Sequence, residues 1–134
     1  MYYSLNHKPI LPIEISKEKG VYVVYALNSD LVPQSINRIL AIDKNGILYI
    51  GQTTKQNFKV RIEMLRRVMN HENNTTAHSG GLNYKHIKQL RKRFPISSLY
   101  VSLHPSSSPR IDEEIRIEKY RQKFGEVPPL NGSK

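Results

Sequence analysis

The sequence predicts a mixed α/β domain of the α+β class, in which a small, mainly antiparallel sheet of three to four strands is flanked by three helices. Its 134 residues suit one domain with a core of its own. Segments of β-branched and aromatic residues and segments of helical spacing follow the order β, β-hairpin, α, α, β, α. We expect residues 1–18 to form an N-terminal arm and residues 19–132 to form a single domain.

Four segments have the composition of strands. Residues 20–27, GVYVVYAL, are nearly all apolar or aromatic, which predicts a buried strand. The segments INRILAID and GILYIGQ flank Lys44, Asn45 and Gly46, and an Asn-Gly pair between two such segments is a strong hairpin signal. A fourth strand is predicted in SSLYVSL, residues 97–103.

Residues 57–72, NFKVRIEMLRRVMNHE, have the spacing of an amphipathic helix. Its apolar positions recur every three or four residues and are Val60, Met64, Leu65, Val68 and Met69. Its basic positions are expected to point outward and are Arg66, Arg67 and His71.

Two further helices are predicted. In LNYKHIKQLRKRF, residues 82–94, the expected core stripe is Ile87, Leu90 and Phe94. The basic residues expected to cover the rest of that helix are Lys85, Lys88, Arg91 and Lys92. The last helix is expected to begin after Ser108 as its cap, with Pro109 at its first position, and to end at Gly125.

The charge of the chain favours a polyanionic partner. Lysine and arginine number 21 against 11 acidic residues, and the formal net charge is +10. Nucleic acid is therefore the leading partner, with DNA ahead of RNA, and a membrane surface is less favoured. The absence of cysteine excludes disulfides and thiolate zinc sites. No apolar segment resembles a secretory signal or a membrane span, so we expect a soluble, cytoplasmic protein.

Two tyrosine-glycine clusters stand out, Gly20 with Tyr22 and Tyr49 with Gly51. Residues two apart on a strand share a face, so each phenol is expected to border a position without a side chain. Glycine inside a strand often marks close approach by a ligand or by another backbone segment. We interpret the pair as two phenols placed where a phosphate can approach. Ordinary packing of half-buried aromatic rings is the alternative.

The GVY and YIG motifs resemble those of the GIY-YIG nuclease family, together with a following helical arginine, a late glutamate and a terminal Leu-Asn pair. The resemblance covers residues 20–132. It implies a compact sheet-and-helix nuclease domain in which Tyr22 and Tyr49 orient or deprotonate the attacking water. Tyr22 is the preferred base, a role that requires neighbouring cations, or a metal-bound water that relays the proton, because a free phenol titrates near pH 10. The spacing between the tyrosines is 27 positions (49 − 22), longer than in many members, which indicates a branch with an insert.

The resemblance also implies roles for three other residues. It places the family's arginine at Arg61, whose guanidinium suits a phosphate that gains negative charge, although a solvated surface charge is the alternative. It places the supporting asparagine at Asn131, where a simple turn residue is the alternative. His78 lies where some members have a histidine near the phosphate, and an exposed loop histidine is the alternative.

Glu118 is the expected ligand of one Mg²⁺ or Mn²⁺ ion. Helical spacing puts it beside Ile111 and Ile115, on what we expect to be an apolar flank, where a carboxylate needs a cationic partner. A salt bridge to an arginine is the alternative. Glu114 is the second choice as ligand, and Glu113 is weaker because acidic residues in a first turn are explained by the helix dipole.

One position departs from the family pattern. Where members usually have a histidine or tyrosine one turn after the arginine, this chain has Leu65. Either His78 or Tyr84 is then expected to support the phenol, or catalysis is lost. We therefore expect a metal-dependent DNA endonuclease, with a non-catalytic nucleic-acid-binding module or a ribonuclease as alternatives. The expected nucleic-acid contacts are Arg66, Arg67, Lys85, Lys88, Arg91 and Lys92.

Overall fold

The computed structural model describes residues 1–70 and 79–132. The strands are β1 (Tyr3–Ser4), β2 (Gly20–Ala26), β3 (Ile36–Asn37), β4 (Ile42–Asp43), β5 (Ile47–Thr53) and β6 (Leu99–Pro105). The helices are α1 (Ile13–Ser16), α2 (Phe58–Met69), α3 (Ser79–His86), α4 (Lys88–Arg93) and α5 (Pro109–Phe124). The α+β class predicted from the sequence is confirmed.

The main sheet is antiparallel and has the order β1-β6-β2-β5. Strand β2 lies between β6 and β5, which explains why it is apolar along almost its whole length: both of its faces are covered. On one face α2 packs on the sheet, with Phe58, Ile62 and Leu65 in the same core as Tyr22. On the other face α5 packs against β2 and β5.

The predicted hairpin around Asn45 and Gly46 is wrong in its pairing. Gly46 does adopt the expected positive φ of 66°, and the buried carboxylate of Asp43 accepts from the Asn45 and Ile47 backbone amides. However, β4 pairs with β3 to form a separate two-stranded ribbon, and β5 pairs with β2. The turn therefore connects two sheets because β2 provides a longer partner for β5 than the two-residue β4 does.

Strand β1 attaches the predicted N-terminal arm to the sheet. Tyr3 pairs with Val101 and Ser4 pairs with Tyr100 of β6. The next residue, Leu5, is fully buried in the core. The arm therefore contributes a strand and a core side chain to the domain, beyond lying over its surface.

The predicted faces of the first two long helices are partly wrong. Val60 of α2 is 44% exposed, while Ile62 is fully buried. The second predicted helix is divided at Ile87 into α3 and α4, and Ile87 is also 44% exposed. Its place in the core is taken by Tyr84, whose hydroxyl donates to the Phe94 carbonyl over 2.7 Å.

Helix α5 begins and ends at the predicted residues but presents a different face to the sheet. Pro109 is its first residue, and Gly125 ends it in the left-handed region at φ 81°. Ser108 occupies the cap position without a side-chain capping bond. The side chains buried against the sheet are Ile117, Tyr120 and Phe124. The predicted apolar flank is wrong, because Ile111 is 58% and Ile115 is 48% exposed.

None of the helices in the described parts of the chain combines the length and the apolar character needed to cross a membrane.

Candidate functional site

Tyr22 and Tyr49 meet on the α2 face of the sheet. In the β2–β5 register Tyr22 lies opposite Gly51, and Val24 lies opposite Tyr49, so both phenols project from the same face. Their ring centroids are 6.1 Å apart. Tyr22 is fully buried, and Tyr49 is 8% exposed. The two motifs that are separated in sequence are therefore joined by strand pairing.

The two motif glycines do not leave open positions for a phosphate, so that interpretation is corrected. A Cβ at Gly51 would lie 2.6 Å from the Tyr22 Cζ atom and 2.6 Å from the Tyr49 Cε2 atom. A Cβ at Gly20 would lie 2.2 Å from the His104 carbonyl oxygen of β6. The glycines are required because phenol rings in one case, and a neighbouring strand in the other, occupy the space that a side chain would need.

Arg61 reaches the Tyr22 hydroxyl from the first turn of α2. The turn is fixed by Asn57, whose side-chain oxygen accepts from the Val60 amide over 3.0 Å. The Phe58 amide also donates to the Glu18 carbonyl over 2.9 Å, which joins the start of α2 to the segment before β2. From this position the Arg61 side chain hydrogen-bonds the Tyr22 phenol. The predicted arginine and the predicted tyrosine are thus direct partners.

Glu113 of α5 is a carboxylate whose charge acts on Tyr22. It lies four residues before Ile117 and seven before Tyr120, so it continues the stripe of α5 that faces the sheet. It is half-buried, and its charge raises the pKa of Tyr22. Sequence reasoning ranked it below Glu118 and Glu114. The stripe of Ile117, Tyr120 and Phe124 is the signal that could have identified it.

The environment of Tyr22 keeps its phenol protonated at neutral pH. Burial raises the pKa of Tyr22 far above its usual value, and the Tyr49 and Glu113 charges raise it further. Arg61 lowers that pKa through its charge and its hydrogen bond, but burial is the larger effect. The cationic neighbour that the base role of Tyr22 requires is present, yet it does not offset the cost of a buried phenolate.

Glu118 lies on the outer side of α5. Its side chain is 52% exposed, and its carboxylate pairs with Arg121 over 2.7 Å and accepts from Gln122 over 2.8 Å. The hydrogen bond from Arg121 holds the pKa of the Glu118 carboxyl below its usual value. The buried, apolar setting that suggested a metal is absent at Glu118, and the ion pair given as the alternative is present.

An open pocket is lined by residues of β5, α2 and α5. One part, of about 310 Å³, is lined by Gln52 of β5, Arg61 of α2 and Arg110 of α5. A second part, of about 450 Å³, shares Gln52 and Arg110 and is also lined by Glu113. We call these two parts together the site pocket. Gln52 and Arg110 were not singled out from the sequence, because neither the YIG motif nor the helix pattern distinguishes them.

The site pocket contains oxygen atoms that suit a hard divalent cation. Glu113 provides a carboxylate, and the Gln52 Oε1 atom is buried without a hydrogen-bond partner among the described residues. No group of three or more carboxylate, histidine or cysteine side chains forms a metal cluster in residues 1–70 and 79–132. One or two protein oxygens, completed by water and phosphate oxygens, are the arrangement that Mg²⁺ commonly adopts.

Asn131 binds the strand that carries Tyr49 and Gly51. Its side-chain amide donates to the Ile50 carbonyl over 2.8 Å and accepts from the Ile50 amide over 3.0 Å. The Leu130 amide adds a bond to the Leu48 carbonyl over 2.8 Å. The C-terminal segment thereby satisfies the edge of β5, and Asn131 acts on the site through the backbone between the two motif residues.

The basic residues that we expect to contact nucleic acid differ in how exposed their side chains are. Arg66 does not point outward as expected: it is buried and pairs with Glu63 over 2.6 Å. Arg67, Lys88 and Lys92 are exposed, whereas Lys85 and Arg91 are half-buried. The Arg91 guanidinium donates to the Lys85 carbonyl.

Tyr84, one of the two side chains expected to support the phenol, is bonded elsewhere. Leu65 is fully buried in the core, and the Tyr84 hydroxyl is bonded to Phe94 instead. His78 lies outside the described residues. The hydrogen bond that reaches Tyr22 comes from Arg61.

Comparison with known proteins identifies no relative. No family model matches the chain, and neither a curated protein nor a solved structure matches it. The chemistry of the site is therefore argued from the residues that surround the site pocket.

Proposed function

We propose that this protein is a metal-dependent endonuclease of the GIY-YIG type that hydrolyses phosphodiester bonds in DNA. The observation that supports it most strongly is the convergence of Tyr22, Tyr49, Arg61 and Glu113 from two strands and two helices. The strong basic balance of the chain supports a polyanionic substrate.

Arg61 and Arg110 would bind the phosphate at the site pocket. Both line the same part of that pocket, from opposite helices. A guanidinium presents fixed donors to phosphate oxygens and keeps its charge at all relevant pH values. Because negative charge on those oxygens grows as the water attacks, Arg61 stabilises the transition state more than the bound substrate.

Tyr22 and Tyr49 would orient the attacking water. The Arg61 hydrogen bond fixes the Tyr22 hydroxyl, and the rigid packing of both rings over Gly51 fixes their direction. With its pKa raised by burial, Tyr22 holds its proton in the unliganded protein and positions the water as a neutral group. We therefore revise its role from base to orienting group.

Glu113 would hold the divalent cation, in place of Glu118. A bound Mg²⁺ or Mn²⁺ ion would supply Lewis-acid stabilisation of the leaving oxygen. Glu113 and Glu118 both line the second part of the site pocket, but Glu113 is half-buried, whereas the Glu118 carboxylate is exposed and held by Arg121. Gln52 lines both parts of the pocket. Glu113 also offsets the positive charge that Arg61 and Arg110 bring to the site pocket.

A non-catalytic nucleic-acid-binding module is the alternative. The observation that favours it is the complete burial of Tyr22, with its strongly raised pKa, and the absence of a histidine or tyrosine at Leu65. Under this alternative the basic surface of the protein binds the nucleic-acid backbone, and the two phenols only pack in the protein core. Cleavage of RNA instead of DNA is the other possibility that the site chemistry allows.

Cleavage of supercoiled plasmid tests the proposal. We expect wild-type protein with Mg²⁺ or Mn²⁺ to convert the plasmid to open-circular or linear forms, and chelation of the metal to stop it. Arg61→Ala should abolish conversion, whereas Arg116→Ala, which removes a guanidinium paired with Asp112 elsewhere on α5, should not. Intact plasmid that is nevertheless retarded in a gel by wild-type protein would support the binding module and refute the nuclease.

A further inference from the structure

A groove with apolar walls runs along the outer side of α2. It has a volume of about 550 Å³ and lies between α2 and the segment that precedes α1. Its apolar walls include Ile10, Val60 and Met64, and its rim includes Lys8, Lys59 and Arg67. We call these six residues the α2 groove.

The α2 groove lies next to the site pocket. Met64 lines both of them, and it lies one turn of α2 after Arg61. A molecule that binds Arg61 at the site pocket and continues along α2 therefore enters the groove directly. This adjacency relates the groove to the substrate of the proposed nuclease.

The apolar side chains of the groove are unusually accessible. Ile10 is 93% exposed, and Val60 presents nearly half of its surface on the solvent side of α2. Apolar residues grouped in a concave surface are typical of binding sites, whereas scattered ones are ordinary. The grouping here, between two chain segments, indicates an occupant with an apolar surface.

The charge of the groove identifies the class of that occupant. Lys8, Lys59 and Arg67 are cationic, and the one carboxylate in the lining, Glu63, pairs with Arg66 over 2.6 Å and with Arg67 over 3.3 Å. Its pKa is lowered chiefly by the hydrogen bond from Arg66, so it stays ionised and paired. The groove therefore favours an anionic occupant that also has apolar faces.

We infer that the α2 groove binds an unpaired nucleotide next to the phosphate held by Arg61. This inference rests on the proposed function. A nucleic-acid strand combines an anionic backbone with the apolar faces of its bases, but in a duplex those faces are covered by stacking. Isoleucine, methionine and proline side chains contact base faces only where a base is unstacked. The preferred substrate is then a duplex with a single-stranded arm at the cleavage site.

Fluorescence anisotropy with two labelled probes tests the inference without cleavage. The probes are a blunt DNA duplex and the same duplex with a single-stranded arm. Every protein in the comparison carries Glu113→Gln, so that neither probe is cleaved. The double variant Ile10→Gln/Val60→Gln removes apolar surface from the groove and changes no charge. We expect it to bind the armed duplex about tenfold more weakly and the blunt duplex unchanged. Ile39→Gln, which changes an exposed isoleucine between β3 and β4, is the control and should leave both affinities unchanged.

The outcomes separate this inference from the proposed function. Unchanged affinity for both probes, or an equal loss for both, would overturn the groove as a site for an unpaired nucleotide. Unchanged affinity for both probes would leave a protein partner as the occupant of the α2 groove. A selective loss for the armed probe, in a protein that never cleaves plasmid, would support the groove while refuting hydrolysis.

Discussion

At the scale of single residues, Gly51 leaves the space that two aromatic rings occupy. Tyr22 lies across from it and Tyr49 lies two positions before it, and both rings cover the place where its side chain would be. Rings in a packed core cannot rotate away from a new methyl group without displacing other side chains. Gly51 is therefore part of what sets the direction of both phenols.

Gly51→Ala should destabilise the protein and impair any cleavage. Its Cβ would meet both rings at 2.6 Å, so we expect the free energy of unfolding to fall by about 1–3 kcal/mol, as for other overpacked cores. Urea denaturation measures it. Gly81→Ala is the comparison: there the new Cβ lies farther from its nearest neighbour, the Val68 Cγ1 atom at 3.0 Å, and a helical alanine gains propensity. Equal stability of the two variants would contradict the role given to Gly51.

Tyr22→Phe should show what the Tyr22 hydroxyl contributes, because it removes the hydroxyl and keeps the ring. The ring still fills the core, but the Arg61 hydrogen bond is lost, and the attacking water loses its orienting group. We expect single-turnover cleavage to fall by about 100-fold or more. Tyr84→Phe is the matched control, since it removes a different buried hydroxyl, one bonded to Phe94. If both variants cleave at the wild-type rate, Tyr22 has no part in the reaction.

At the scale of elements, Asn131 takes the place of a neighbouring strand. Its side-chain amide makes both a donor and an acceptor bond with the Ile50 backbone, in the way a paired residue would. Because β5 is an edge strand, these bonds hold the stretch from Tyr49 to Gly51 in register with β2.

Asn131→Ala should lower the free energy of unfolding by about 1–2 kcal/mol, because it leaves two backbone groups of β5 without protein partners. Asn83→Ala removes one bond, to the Leu130 carbonyl of the same segment, and should cost less. Both values can be measured by urea denaturation. A larger cost for Asn83→Ala would place the attachment of the C-terminal segment at Asn83 instead.

The elements also show what the sequence could predict. The ends of α5 were predictable because Pro109 and Gly125 restrict the backbone locally. The face of α5 that packs on the sheet was not predictable, because Ile111 and Ile115 match a helical stripe as well as the buried residues do. Those buried residues are Ile117, Tyr120 and Phe124. Only packing against β2 and β5 selects between them. The Asn45-Gly46 turn likewise gave the right local conformation but not the pairing, which depends on the competing strand β2.

The candidate site was predictable to the same extent. Tyr22, Tyr49, Arg61 and Asn131 were identified because short motifs carry them, and Arg61 does contact Tyr22. As a metal ligand, Glu113 was ranked below Glu118 and Glu114. Its position depends on which face of α5 packs on the sheet, and the sequence did not decide that face. The raised pKa of Tyr22 could not be predicted, since it follows from burial that only the assembled core creates.

At the scale of the whole molecule, the helices divide into two differently charged sides. Helices α2, α3 and α4 pack on the Tyr22 face of the sheet, whereas α5 packs on the other. The exposed cations of α4, Lys88 and Lys92, have no acidic neighbour in that helix, while α5 pairs Arg116 with Asp112 and Arg121 with Glu118. We expect nucleic acid to bind the α2–α4 side.

Salt dependence tests this division. If Lys88 and Lys92 each neutralise a phosphate, Lys88→Ala/Lys92→Ala should reduce the slope of log affinity against log salt by about 2. Lys119→Ala/Lys123→Ala removes the same charge from exposed positions of α5 and should reduce the slope by much less. Equal changes in slope would indicate binding by net charge alone. The slopes come from anisotropy titrations of duplex DNA at several salt concentrations.

The most direct measurement of the central claim compares single-turnover DNA cleavage in Mn²⁺ by Glu113→Gln and Glu118→Gln. Both variants remove one carboxylate charge from α5, but the Glu113 charge acts on Tyr22, whereas Glu118 pairs with Arg121 at the surface. We predict that Glu113→Gln lowers the rate by about 100-fold or more, since it replaces the anionic carboxylate that would hold the cation by a neutral amide. Glu118→Gln should cleave at the wild-type rate. Loss of cleavage in Glu118→Gln with full activity in Glu113→Gln would contradict the account.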